Sequence, residues 1–272
     1  MVGTRLQLPA RSQAGLVLVD KEAGPSSFAV VQRMRRLHDV RKAGHAGTLD
    51  PLATGLLLVL LGRATRLSRY LVGLDKRYET EIRLGERTST GDSEGEVVER
   101  TDFPAPEDVS SLVGQHELRV PAASAVKIGG ERAYVLHRRG VALEMPVRRS
   151  WIYELRLVRF APPQLELDLR VSSGTYIRAI ADALGGHCVS LRRTGVGPFD
   201  VEDTDEKRVL APLEAVKFLA RRELDADEAR LIRTGQPIED DGEGPVALVQ
   251  GGELVAVGRA GEGAVRPETV LA

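Results

Sequence analysis

Gly44 to Gly62 reads GHAGTLDPLATGLLLVLLG, and the contrast between its two halves decides the fold. Glycines at 44, 47 and 55, with Pro51 among them, punctuate the first half so densely that it reads as a loop rather than the interior of a helix or strand. Leu56 to Leu61 is an unbroken apolar run bounded by glycines, the pattern of a strand buried on both faces. Asp50 therefore stands on a loop leading into the core, the kind of place where a rigid scaffold carries chemistry. Taken alone, an aspartate before proline is also an ordinary turn former, so Asp50 has a plain reading beside the chemical one.

Outward from this stretch the pattern alternates between strands and short helices. Upstream, Gly15 to Asp20 (GLVLVD) reads as a second buried strand and Lys21 to Ser27 (KEAGPSS) as a loop. A helix is expected next, capped by Ser26 or Ser27, with Val30, Met34 and Leu37 on its apolar face and Arg33, Arg35 and Arg36 largely off it. Downstream, Ala64 to Val72 reads as a short helix. Lys76-Arg77-Tyr78 then opens a strand with Tyr78, Thr80, Ile82 and Leu84 on one face and Glu79, Glu81 and Arg83 on the other. LGERTSTGDSEGEVV has the composition of a loop between strands, and no chemistry is expected of it. Pro104 and Pro106 introduce a short helix within residues 101–114.

Residues 151–160 and 164–171 read as two strands joined by Pro162-Pro163, with Leu165, Leu167, Leu169 and Val171 alternating along the second. SSGTYIRAIADALGG reads as a helix started by Ser173 or Thr175, buried along Ile177, Ile180 and Leu184, and ended by Gly185 or Gly186. Arg178 in its first turn runs against the macrodipole, which argues for a carboxylate partner. From about Leu224 the sequence suggests a helix and turn, then a hairpin about Gly251-Gly252.

The 272-residue chain is long enough for one sizeable core and a small second domain. Its apolar stretches fall short of the roughly 20 residues that span a bilayer, and no apolar leader follows its first arginine, so a cytoplasmic protein without membrane contact is expected. Cys188, its single cysteine, has no internal disulfide partner and reads as packing. The formal net charge of −1 conceals a polarised chain: +6 over residues 1–75, zero over 76–200 and −7 over 201–272. The basic third contains Asp50. Its cluster Arg33, Arg35, Arg36, Arg41 and Lys42 suits phosphates or a solvated helix face, and Arg138 and Arg139 share both readings.

KAGHAGTLDPLATG resembles the signature of the TruB family of bacterial tRNA pseudouridine synthases, which isomerise uridine 55 in the T loop of tRNA. Asp20, Lys21, Gly24 and Ser27 are similar to the first motif of that family, with Glu22 in place of its proline. Lys76 and Tyr78 resemble its Lys-x-Tyr motif, GTYIR its third motif, and LRRTGVGPF at 191–199 is a further likeness. VPAASAVKIGGERAYVLHRRG resembles a segment in which an aromatic precedes Ser-Ala-x-Lys, and Ala123 holds that place here. The resemblance covers residues from about 15 to 200. It implies an α+β fold with a catalytic domain over 1–223, built on a mixed, mostly antiparallel sheet with its active site in a central cleft. A small PUA-like β domain over 224–272 is implied as well, whose acidity argues against strong phosphate binding.

The resemblance also implies site residues: Asp50, Tyr78 and Arg178 as catalytic, with His45, Lys21 and Leu191 binding substrate. Arg178 would pair with Asp50 and keep it ionised, and Tyr78 would stack on a flipped base. His45 would fill the vacated space or support neighbouring bases, and Leu191 would pack near the base. Read from the residues alone, Tyr78 is a core tyrosine with its hydroxyl satisfied at the strand edge, and His45 is also a loop hydrogen-bonder. The partner implied is the T arm of tRNA, acted on by a monomer with no protein partner, no cofactor and no metal.

One carboxylate suits this chemistry, because it can attack C1′ or C6 or draw a proton from C2′ while the glycosidic bond breaks. Other readings are a pseudouridine synthase for another RNA, a non-catalytic tRNA-binding protein or RNA chaperone, and a glycosidase. The last would need a second carboxylate near Asp50, which the motif loop does not offer, leaving Asp39 or Glu22 as the ones that could approach in space.

Overall fold

The computed structural model describes residues 14–271. The expected absence of an apolar leader, and Arg5 and Arg11 of the basic third, lie outside the described residues. The chain opens with β1 (Gly15–Lys21), α1 (Ser27–Leu37), β2 (Ala43–His45), β3 (Thr54–Leu61), α2 (Ser68–Val72) and β4 (Lys76–Leu84). It continues through β5 (Glu86–Thr88), β6 (Val97–Arg100), α3 (Pro106–Ser110), β7 (Gly114–Arg119), β8 (Lys127–Ile128), β9 (Glu131–Arg132) and α4 (Ala133–Arg138). Then come β10 (Val147–Ala161), β11 (Gln164–Val171), α5 (Ile177–Ala183), β12 (Gly186–Val196) and β13 (Phe199–Asp200). The last elements are α6 (Pro212–Ala215), β14 (Ala220–Glu223), α7 (Ala226–Arg233), β15 (Ile238–Glu239), β16 (Gly244–Gln250), β17 (Glu253–Gly261) and β18 (Ala264–Val270).

Two compact units result. The first takes residues up to Pro51, Leu56–Val72 and those from Gly197 on; the second takes Leu52–Gly55 and Gly73–Val196. In the first unit β3 is buried at every position from Leu56 to Leu61, as the apolar run requires, and it lies beside β1. The loop expected at Gly44 is in part a strand: Ala43, Gly44 and His45 of β2 pair antiparallel with Leu61, Leu60 and Val59. Three small or polar residues carry no strand signal of their own, and the buried neighbour supplies the pairing. Ser26 caps α1 by accepting from the Ala29 N–H at 3.2 Å. Val30 and Met34 are buried as expected, but Leu37 is 53% exposed. The helix ends there, the chain turns through Asp39 at φ 50°, and Val40 packs inward instead. The helix expected over 64–72 is a 3₁₀ segment, Gly62–Leu67, running into α2.

The C-terminal part of this unit is a five-stranded sheet in the order β14-β16-β17-β18-β15. Its hairpin turns at Gly251 and Gly252 as read, and Ala220–Glu223 joins it as an edge strand. Over it lies α7, whose Asp225 and Glu228 form a reciprocal cap, with Ala229 and Ile232 packed against Val246, Leu248 and Val255. Strand β18 is fastened to residues 62–72: Arg66 donates to the Val270 carbonyl at 2.7 Å, Arg63 to that of Leu271 at 3.2 Å, and the Tyr70 hydroxyl meets Glu268 and Thr269.

The second unit is a mixed, mostly antiparallel sheet in the order β12-β4-β11-β10-β7, with the head of β3 parallel to β12 through Thr54↔Arg192 and Gly55↔Arg193. Gly55 makes that approach possible: at φ +98° a Cβ would meet the Arg193 carbonyl oxygen at 2.2 Å. Strand β4 alternates as predicted, and its buried face begins one pair earlier, at Lys76. Cys188 is buried in β12, in keeping with a packing role. Helix α5 starts later than Ser173 or Thr175. Gly174 sits at φ +82°, the hydroxyls of Ser172 and Thr175 meet at 3.0 Å, and the Trp151 N–H donates to Ser172 Oγ at 2.9 Å. These residues build a turn, and the helix follows from Ile177.

Candidate active site

The first unit carries Lys21, His45 and Asp50; the second carries Tyr78, Arg178 and Leu191. Half-buried Asp50 is held from both sides through its neighbours. On its N-terminal side the Ser27 hydroxyl donates to the Leu49 carbonyl at 2.9 Å and accepts from the Leu49 N–H at 2.8 Å. On its C-terminal side the Pro51 carbonyl accepts from Lys21 Nζ at 3.1 Å and from the Gly24 N–H at 2.8 Å. Lys21, only 1% exposed at the end of β1, also donates to the carbonyl of Glu22 at 2.9 Å. That acceptor is main chain, so glutamate in place of proline leaves the lysine corner intact. His45 lies on β2 opposite Val59.

In the second unit Tyr78, 9% exposed, shares the buried face of β4 with Lys76 and Thr80. Its register partners are Leu169 on β11 and Arg193 on β12, and Leu191 pairs with Thr80 on the same face. Lys76 Nζ donates to the Leu74 carbonyl at 2.5 Å and to Ser173 Oγ at 3.2 Å. Burial, followed by the nearby positive charge of Arg193, lowers its pKa to about 8, against the pull of Asp75. Sequence reasoning gave this lysine no role beyond its motif.

Arg178, 2% exposed in the first turn of α5, donates to the carbonyls of Thr90 at 2.5 Å and Ala123 at 2.9 Å, and its Nη1 lies 3.5 Å from Asp92 Oδ2. Asp92 is itself buried; its Oδ1 accepts from Thr90 Oγ1 at 2.5 Å and from the Glu94 N–H at 3.1 Å. Residues 84–98, read as a loop between strands with no chemistry expected of it, thus bring a buried carboxylate to the arginine. The misplaced charge at a helix start did signal a carboxylate partner, but nothing in the sequence said that one lies here. Ala123 contacts Arg178 through its carbonyl, a contact that asks nothing of its side chain. Arg139 is exposed and pairs with Glu131 at 3.3 Å, and Arg138 lies 5.8 Å from the Tyr134 ring.

Among the described residues no cluster of three or more His, Cys, Asp or Glu side chains is placed to hold a metal ion, and no helix is long and apolar enough to cross a membrane.

Residues 35–177 match the family profile described as TruB family pseudouridylate synthase (N terminal domain). The chain is 40% identical over 289 residues to tRNA pseudouridine synthase B of Thermobifida fusca (strain YX), covering 95% of this chain and 98% of that one. It is 42% identical over 253 residues to the enzyme of the same name in Mycobacterium sp. (strain KMS), covering 84% and 85%, and 36% identical over 297 residues to that of Vibrio atlanticus (strain LGP32), covering 94% of each. Its fold is similar to a chain of an H/ACA RNP bound to a substrate RNA containing 2'-deoxyuridine, with TM-score 0.71, 21% identity and coverage of 96% and 86%. A chain of a Cbf5-Nop10-Gar1 complex is similar at TM-score 0.72 and 23% identity, with coverage of 96% and 85%. At those identities the structural likeness speaks to fold alone.

Proposed function

The chain belongs to the TruB family of pseudouridylate synthases, and from that premise we propose that it isomerises uridine to pseudouridine at position 55 in the T loop of tRNA, flipping the base and using Asp50 as the essential carboxylate. The observation that carries the proposal is the clamped loop of Asp50, whose two neighbours are fixed by Ser27 on one side and by Lys21 and Gly24 on the other. A side chain that must meet one atom of a flipped nucleotide gains from such prior fixing, because the ordering is complete before substrate arrives.

Pseudouridine formation breaks the N1–C1′ bond, turns the uracil, joins C5 to C1′, moves the C5 proton off the ring carbon and leaves N1 protonated. Nothing is oxidised or reduced, so the reaction itself asks for no redox cofactor. Asp50 attacks at C1′ or C6 or takes the C2′ proton; each route requires it ionised. Arg178 is assigned the positive charge that favours the ionised carboxylate, and its own bonds to Thr90, Ala123 and Asp92 fix the guanidinium in its unit. Tyr78 offers its ring to the extruded base, at a stacking gain of roughly 1–3 kcal/mol that offsets lost stacking in the RNA. Leu191 and His45 complete the base surroundings, and Lys21 acts through the loop it holds. The chemistry is assigned to residues 1–223 of a monomer acting on the T arm, with 224–272 as a small PUA-like domain.

The test is to map pseudouridine in tRNA incubated with the protein and with Asp50→Asn. Modification at position 55 alone, lost in the variant at unchanged tRNA affinity and melting temperature, is the expected result. Turnover in Asp50→Asn would remove the aspartate from the mechanism, and modification elsewhere would reassign the target.

A further inference from the structure

Two adjacent serines begin α1, and they do different things. The Ser26 hydroxyl accepts from the Ala29 N–H at 3.2 Å in an exposed setting, an ordinary helix cap. Ser27, 2% exposed, turns inward and binds both polar groups of Leu49, donating to its carbonyl at 2.9 Å and accepting from its N–H at 2.8 Å. One hydroxyl thus satisfies a donor and an acceptor on one residue, 22 positions away in sequence and immediately before Asp50. The Leu49 N–H and carbonyl belong to successive peptide units, so one hydroxyl anchored on a helix ties together the two planes that flank the Leu49 Cα, the second of which leads into Asp50.

We propose that Ser27 is a positioning residue for the reaction: it sets the direction in which Asp50 leaves the backbone, acting through Leu49 without touching substrate. The setting favours this. Leu49 is 3% exposed, so its main-chain groups have no access to water that could replace the hydroxyl. On the far side of Asp50 the Pro51 carbonyl is held by Lys21 and Gly24, while on the near side Ser27 holds the Leu49 carbonyl of the peptide that leads into Asp50. The inference rests on the reading of Asp50 as the catalytic carboxylate.

The experiment compares Ser27→Ala, Ser27→Cys and Ser26→Ala with the parent and Asp50→Asn, measuring single-turnover rate at saturating tRNA, tRNA affinity and melting temperature. Ser27→Ala is expected to lose roughly 10- to 100-fold in rate with tRNA affinity within two-fold of the parent, the scale that small misplacements of reacting groups produce. Ser27→Cys, whose thiol is a weaker and longer partner, falls between. Ser26→Ala lowers melting without changing the rate. Amide exchange at Leu49 in the parent should be as slow as in the centre of β3. A folded Ser27→Ala with parental rate, a loss confined to affinity, or fast exchange at Leu49 overturns the proposal. So does failure of both Ser27 variants to fold, since that assigns the hydroxyl to stability alone. If Asp50→Asn turns over, the assignment of Asp50 fails. If Asp50→Asn is inactive while Ser27→Ala keeps the parental rate, only the positioning role fails.

Discussion

Removing the carboxylate of Asp92 tests whether the buried charge of Arg178 depends on it. In Asp92→Ala the guanidinium, 2% exposed, loses the carboxylate 3.5 Å from Nη1, while Thr90 Oγ1 and the Glu94 N–H lose their acceptor. Breaking a buried pair from one side costs about 3–5 kcal/mol where the remaining charge is left uncompensated away from water. The remaining partners of Arg178, the carbonyls of Thr90 and Ala123 among them, stay in place, which puts the expected loss at the lower end, about 3 kcal/mol. For a chain of this size that corresponds to a fall in melting temperature of roughly 6–12 °C. Asp92→Asn keeps an oxygen for Thr90 and Glu94 and loses only the charge, so it should fall between parent and Ala. Calorimetry at low and high salt reads both, and the difference should hardly respond to salt, since a pair this deep is little screened. Turnover should fall with the melting temperature, as Arg178 loses its fixed direction. Asp92→Ala melting within about 2 °C of the parent would refute the reasoning, and Asp92→Asn equal to the parent would transfer the effect from charge to the turn's hydrogen bonds.

The lowered pKa of Lys76 has a definite sign: between about 8 and 10.5 the unfolded chain binds more protons than the folded one, so stability rises with pH across that window. Lys76→Met should flatten the rise, and denaturant melts from pH 7 to 10.5 check it; a variant retaining the slope would assign it elsewhere. Tyr78→Phe should keep tRNA affinity and melting temperature but lose turnover if the hydroxyl relays a proton, whereas Tyr78→Leu should weaken binding by roughly 1–3 kcal/mol through lost stacking. A fully active Phe variant removes the hydroxyl from the mechanism, and an unstable but active Leu variant returns Tyr78 to the core. tRNA affinity should fall with salt, modestly, because acidic residues elsewhere limit the phosphates neutralised; a flat log–log plot contradicts it.

Strands β3 and β4 were legible because one pattern is unbroken and the other strictly alternates, and both patterns report burial directly. Strand β2 was not, because Ala43, Gly44 and His45 become a strand only through β3. The start of α5 was misplaced because serine and threonine hydroxyls serve a turn as readily as a cap, and Gly174 settled the matter through its backbone. At the site, the motif strings singled out Asp50 and Arg178, yet the roles of Asp92 and Ser27 depend on contacts between residues far apart in sequence. Ser26 and Ser27 are chemically identical; only the helix phase decides which one faces Leu49.

The fastening of β18 to residues 62–72 bears on how the polypeptide is made. Arg63 and Arg66 bind carbonyls 208 and 204 positions later, and β1 meets Leu210 through paired main-chain bonds, so the first unit draws on both ends of the chain. At about 5–20 residues per second, a ribosome needs roughly 10–40 s to deliver the later partners after the earlier ones have emerged. During that interval β1 and residues 62–72 wait for these later partners, while Gly73–Val196, contiguous in sequence, has its own partners already synthesised. Nascent chains stalled near residue 200 should therefore expose β1 and residues 62–72 to protease and chaperone, a vulnerability that the finished molecule does not show.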